Sequence, residues 1–166
     1  PRGLLGALQA RLAGFADILD HTMVAAIEAE PRAVLADGSV ITPGHIVIAA
    51  GVPTFEMISP FVGAGIGRGV KGQAALLQPG RPIDPAAPVL YDGGVYVIAH
   101  EPATDGTHRI AVGSTSEDEF DCGTTPDGKL DDLIARAAHL CPAVRDAEVV
   151  ERWAGVRPKA IGRQPI

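Results

Sequence analysis

Leu4, Leu5, Leu8 and Leu12 recur at helical spacing, so Gly3 to Ala13 reads as an amphipathic helix with Gly14 at its C-terminal stop. Beyond it the apolar pattern shortens to that of strands. Thr22 to Glu28, Arg32 to Ala36 and His45 to Ala50 are β-compatible runs, and Asp37-Gly38 supplies a turn between the second and third. Val70 to Leu77 and Pro88 to Tyr91 are fainter strand patterns. Asp92-Gly93-Gly94 should then reverse the chain into Val95 to His100, and Asp105-Gly106 should reverse it into Arg109 to Ser114. The outcome is an antiparallel meander. A second helix opens at Thr125, whose hydroxyl can cap it, with Pro126 at the first helical position and a stripe of Leu130, Leu133, Ile134, Ala137 and Ala138. Pro142 stops it, and a last strand runs from about Glu148 to Arg157. Strands dominate without regular βαβ alternation, which predicts an α+β fold: a mixed, largely antiparallel sheet with flanking helices.

The last strand carries the most chemistry. Its Trp153-Ala154-Gly155-Val156-Arg157-Pro158 run places Trp153, Gly155 and Arg157 on one face, because strand side chains alternate with period two. Pro158 keeps Arg157 out of the helical region. Gly155 leaves a gap between the chain's only tryptophan and a planar cation. Such a gap suits a small carboxylate, which a guanidinium holds through two parallel charge-assisted hydrogen bonds.

Composition narrows the rest. In 166 residues, 46% hydrophobic and 20% charged, the chain can bury one real core, and a disordered or membrane-spanning protein is not indicated. A net charge of −6 without a lysine and arginine cluster argues against a nucleic-acid partner. The longest apolar stretch, Ile46 to Val52, is far too short for a bilayer, and no signal-peptide pattern opens the chain. Cys122 and Cys141 lack CxxC spacing, which fits a reducing cytoplasm. The five histidines lack metal-ligand spacing, so no metal is expected, and no GxSxG elbow is present. Gly63-Ala64-Gly65-Ile66-Gly67-Arg68-Gly69 has glycine at every second position, which is neither GxGxxG nor a phosphate loop. It reads as a flexible loop leading into a strand. Tyr96, between Val95 and Val97, reads by propensity alone as a half-buried strand tyrosine.

Several segments, taken in order, carry a resemblance. Asp20-His21-Thr22-Met23-Val24, Ile46-Val47-Ile48-Ala49-Ala50-Gly51, Val70-Lys71-Gly72-Gln73, Val95 to His100, Arg109 to Thr115, Glu119-Phe120-Asp121 and the Trp153 to Pro158 run follow one family's sequence at its approximate spacing. The chain resembles the flavin-dependent amine oxidoreductases of the D-amino-acid oxidase type, and among them the glycine oxidase group most closely. The resemblance spans nearly the whole chain. It implies that Arg157 clamps a substrate carboxylate and that Tyr96 faces the same pocket. It also implies that Val24 lies against the adenine half of FAD, and that Ala49, Ala50 and Gly51 form a strand end where backbone and cofactor come close. The implied reaction oxidises glycine or a small amino acid to an imine with hydride passing to flavin, so no catalytic acid–base pair is expected of the protein.

The departures shape further expectations. A strand, a GxGxxG turn and a helix hold the pyrophosphate in that family, and the 166 residues contain no such pattern. Pro53-Thr54 stand where the family has Trp-Ser. The expectation is therefore a piece of a longer enzyme, inactive by itself: residues 1–52 part of the FAD-binding domain, 53–152 the substrate-binding domain, and 153–166 a strand returning toward the FAD domain. A sarcosine oxidase-like or D-amino-acid dehydrogenase-like enzyme would use the same arginine. A non-catalytic carboxylate-binding module is the alternative from another class, and a homo-oligomer is compatible with all three.

Overall fold

The structure, a computed structural model, describes residues 2–63 and 65–161. The end of the expected returning strand, residues 162–166, lies outside them, as do Pro1 and Ala64. The fold is α+β, and every strand pairing among the described residues is antiparallel. The chain divides into two compact units, residues 1–49 with 60–62, and residues 50–59 with 63–166.

The first unit contains α1 (Arg2–Leu12) and a three-stranded sheet of β1 (Val24–Glu28), β2 (Arg32–Leu35) and β3 (Val40–Ile41), in that order. Asp37 closes the β2–β3 turn by accepting from the Ser39 N–H at 2.8 Å and the Ser39 hydroxyl at 2.6 Å, while Gly38 takes a φ of 85°. So tight a turn pairs β2 with the residues immediately after it, Val34 with Val40 and Ala33 with Ile41. The expected strand at His45 to Ala50 is not formed: β3 takes its place as the partner of β2, and Thr42-Pro43-Gly44 follows.

The second unit is built on a five-stranded sheet in the order β5-β6-β7-β4-β8, from β4 (Gly67–Gln78), β5 (Leu90–Asp92), β6 (Val95–His100), β7 (Arg109–Gly113) and β8 (Glu148–Ala160). Gly93 and Gly94, both at positive φ, make the two-residue turn of the β5–β6 hairpin, and β7 continues the meander as the sequence pattern predicts. The strand-rich reading misses α2 (Pro53–Val62), a helix whose residues 53–59 belong to this unit. Pro53 sits at its start and Thr54 accepts the Ala50 N–H at 3.1 Å. The alternating glycines belong partly to β4: a Cβ on Gly67 would overlap the Phe55 ring, so the bare strand face there admits α2's aromatic side chain.

One face of the sheet is buried. Ala75, Leu77, Val95, Val97, Ile110 and Val112 pack against Leu130, Leu133 and Ala137 of α3 (Gly128–Leu140) and Val144 of α4 (Pro142–Arg145). Burying Leu130 and Leu133 contributes about 1.5–3 kcal/mol each. The cap of α3 is Asp127, not Thr125: its carboxylate accepts the Lys129 N–H at 3.0 Å, whereas the Thr125 hydroxyl lies 3.2 Å from the Cys122 sulfur. Pro142 follows the end of α3 and also opens α4.

Candidate functional site

The opposite face of the sheet is open. Register places Tyr91, Tyr96, Gly113, Ala74 and Trp153 in one row across all five strands, so their side-chain positions share that face. Tyr91 and Tyr96 stack with ring centroids 4.7 Å apart. Between Tyr96 and Trp153 only Gly113 and Ala74 intervene, which leaves a trough three strand spacings wide, roughly 14 Å. Tyr96 is 43% exposed and Trp153 37%. Large aromatic groups therefore stand half in solvent at both walls.

The next row continues the floor with glycine on both strands, Gly72 paired to Gly155. A Cβ on Gly155 would meet nothing within 4 Å, so the gap inferred from alternation exists. A Cβ on Gly72 would instead lie 3.0 Å from Arg157 Nη2 and 3.2 Å from its Cζ. The guanidinium thus leans from its own row, where Arg157 pairs with Val70, across the bare Gly72 backbone toward the trough. Gly72, Ala74, Ser114, Trp153, Gly155 and Arg157 surround a depression of about 270 Å³.

Arg157 donates from Nη2 to the Thr115 carbonyl at 2.9 Å. Its neighbours on β8 are held differently: Arg152 pairs with Asp131 at 2.7 Å and Lys159 with Asp118 at 3.4 Å. A carbonyl accepts a hydrogen bond but cancels no charge. The cation at the mouth of the depression is therefore suited to an incoming carboxylate.

Behind this arrangement runs a polar network on the core side. Lys71 and Gln73 point from β4 into the interior, 2% and 0% exposed, which breaks the apolar alternation there. Lys71 pairs with Asp127 at 2.6 Å, and Gln73 donates to both Asp127 and Glu117 at 2.8 Å. Lys129 completes the set with a 2.9 Å contact to Glu117. The hydrogen bond from Lys71, with that from Gln73 and the Lys129 N–H, holds the Asp127 carboxyl well below the usual range. Burial works to raise Glu117, but hydrogen bonds from Thr115, Gln73 and Lys129 outweigh it and lower the group. Two cations balance two carboxylates, so the network is satisfied internally. A larger hollow of about 650 Å³ lies beside Ser116, Glu117, Lys129 and Arg136. Its lining sets the carboxylates of Glu117, Asp118, Glu119 and Asp132 against Lys129 and Arg136, an acidic balance that disfavours an incoming carboxylate.

The structure brings Arg157 and Tyr96 onto one face of one sheet. Ala50 and Gly51 lie in the same unit, on the exposed lead into α2, with Gly51 at a φ of 69° and open space where a Cβ would stand. Val24, at the start of β1, and Ala49 belong to the other unit. Sequence reasoning missed Gly72 and Thr115. Gly72 is the strand partner of Gly155 and Thr115 lies 42 residues from Arg157, so neither shows in local periodicity.

Known proteins resemble the chain along its length. The family model described as DAO, FAD dependent oxidoreductase, matches residues 1–166. A glycine oxidase of Bacillus subtilis (strain 168) is 28% identical over 159 residues, which cover 90% of this chain and 41% of that protein. The solved glycine oxidase of Bacillus cereus ATCC 14579 has a TM-score of 0.75 at 25% identity, covering 96% of this chain and 42% of its own. The iminodiacetate oxidase of Chelativorans sp. BNC1 shares the fold with a TM-score of 0.78 at 24% identity, over 98% of this chain and 44% of its own. The chain thus spans about two fifths of the length of these relatives.

Proposed function

The chain belongs to the DAO family of FAD dependent oxidoreductases, and from that premise we propose that it forms the substrate-holding face of an FAD-dependent oxidase of glycine or a small amino acid. The observation that carries this reading is Arg157 leaning over Gly72 beside the open space at Gly155, one row along the sheet from the row that holds Tyr96 and Trp153. The glycine and iminodiacetate oxidases among its relatives are named for small carboxylate substrates. A carboxylate held by two guanidinium N–H groups has its position and its plane fixed, which orients the α-carbon and removes much of the entropy from the barrier. Trp153 borders the same depression as Arg157, and Tyr96 stands on the same face of the sheet.

The residues present fit a flavin dinucleotide. Ala49, Ala50 and Gly51 are small and exposed, so a planar cofactor can approach their backbone, and Val24 stands at the start of β1 where the resemblance places the adenine side. FAD held there would supply the oxidising, hydride-accepting chemistry. In this reading residues 1–52 contribute to the FAD-binding domain, 53–152 to the substrate-binding domain, and 153–166 lead back toward the former. A cytoplasmic location accords with the free thiols of Cys122 and Cys141, and no described helix is long and apolar enough to cross a membrane.

The test is spectroscopic. Purified full-length protein should show a bound-flavin absorption band that bleaches on anaerobic addition of glycine and releases peroxide when air is admitted. Bleaching with dye reduction but no peroxide would point to a dehydrogenase. Protein without flavin, or flavin that no small amino acid reduces, would contradict the proposal.

A further inference from the structure

Arg157 is exposed, and a free arginine side chain samples many rotamers, so something must hold its guanidinium over the trough. We propose that Thr115 is a positioning residue that orients Arg157 for carboxylate binding by anchoring it, through the Thr115 backbone carbonyl, to the network of buried Gln73 and Glu117 with Asp127. The inference rests on the reading of Arg157 as the carboxylate grip.

Thr115 lies past the end of β7, outside any strand, where an unsupported carbonyl would wander. Its own groups prevent this. The Thr115 N–H donates to the Gln73 carbonyl at 3.2 Å, and its hydroxyl accepts the Gln73 N–H at 2.9 Å. The same hydroxyl donates to Glu117 Oε1. A single Oγ atom thus joins the backbone of β4 to a buried carboxylate, using both its donor and an acceptor. Glu117 is fixed in turn by the Gln73 amide at 2.8 Å, by Lys129, and by reciprocal 2.9 Å backbone hydrogen bonds with Lys71. Gln73 closes the circuit: its amide donates to Asp127 at 2.8 Å, and its side-chain carbonyl accepts the Asp127 N–H at 2.8 Å.

The chain of contacts therefore leads from the first turn of α3 through the sheet to the opposite face, where the Thr115 carbonyl holds Arg157 Nη2 at 2.9 Å. One N–H committed to this carbonyl fixes the direction of the guanidinium. Other N–H groups remain to face the ligand. Bare Gly72 beneath the group lets it lie in that direction.

The test uses full-length protein and calorimetric titration with acetate, the probe carboxylate, and acetamide, its neutral counterpart. Thr115→Val keeps the shape and removes the hydroxyl; Thr115→Ser keeps the hydroxyl. The expected result is acetate binding about tenfold weaker in Thr115→Val, with acetamide binding unchanged and Thr115→Ser close to the parent. In an Arg157→Ala background, Thr115→Val should have no further effect, because the two act in series. If the valine variant does not fold, Thr115→Ala against Thr115→Ser makes the same comparison. Unaltered acetate affinity in Thr115→Val, or an equal loss with and without Arg157, would overturn the inference while leaving the arginine grip intact. Unaltered acetate affinity in Arg157→Ala would overturn the grip itself.

Discussion

Arg157 differs from Arg152 and Lys159 in what faces its charge: they meet carboxylates, whereas it donates to the neutral carbonyl of Thr115. In the proposed reading that positive charge is kept for a ligand. Arg157→Ala in the full-length enzyme should raise KM for carboxylate substrates by about 100-fold, the scale of losing one side of a hydrogen-bonded charge pair. Arg157→Lys should recover only part of that loss, because an ammonium is a point charge without the bidentate fork. Unchanged steady-state kinetics in both would contradict the assignment. Gly155 offers a complementary check, since nothing lies within 4 Å of the position its Cβ would take. Gly155→Val should fold with an unchanged or higher Tm, valine being the better strand residue, yet lose affinity for acetate because its methyls fill the trough. Retained affinity would place the ligand elsewhere.

At the scale of elements, the network between β4 and the start of α3 fixes both the fold and its acid sensitivity. Asp127 and Glu117 are lowered in the folded protein by hydrogen bonds from Lys71, Gln73, Thr115 and Lys129. A group whose folded value is depressed contributes stability in full above its unfolded value, near pH 4, and loses it as pH falls through the folded value. Thermal midpoints should therefore be level from about pH 7 to 5 and drop below about pH 4. Asp127→Asn should lower the midpoint at pH 7 and flatten that drop; an acid limb of unchanged steepness would contradict the role of the pair. This same network explains where the sequence was hard to read. The meander and the apolar stripe of α3 were legible because their alternation is uninterrupted, as in Val95, Val97, Ile110 and Val112. β4 was fainter because Lys71 and Gln73 occupy interior positions. The cap moved from Thr125 to Asp127 because a carboxylate tied to Lys71 and Gln73 is the better-anchored acceptor. α2 was missed because Pro60 within it reads as a breaker and its apolar residues follow strand-like runs.

At the scale of the whole molecule, the second unit is a sheet with two unlike faces. One is sealed by α3 and α4, and the other presents Tyr91, Tyr96, Ile98 and Trp153 partly to solvent around the arginine. Exposed aromatic groups on an open sheet face mark a surface that functions with something against it. Half of this site was legible from strand alternation alone: Trp153, Gly155 and Arg157 share a face as period two requires. Tyr96 entered only through resemblance, and Gly72 and Thr115 entered only with the tertiary pairing, because register between distant strands leaves no local trace. The central claim, that this face holds a substrate carboxylate, is tested most directly by a crystal structure of the full-length protein with acetate bound. The account predicts both carboxylate oxygens within hydrogen-bond distance of the Arg157 guanidinium, above Gly155 and on the side of the sheet that carries Tyr96 and Trp153. Acetate bound away from that face, with Arg157 making no contact to it, would contradict the account.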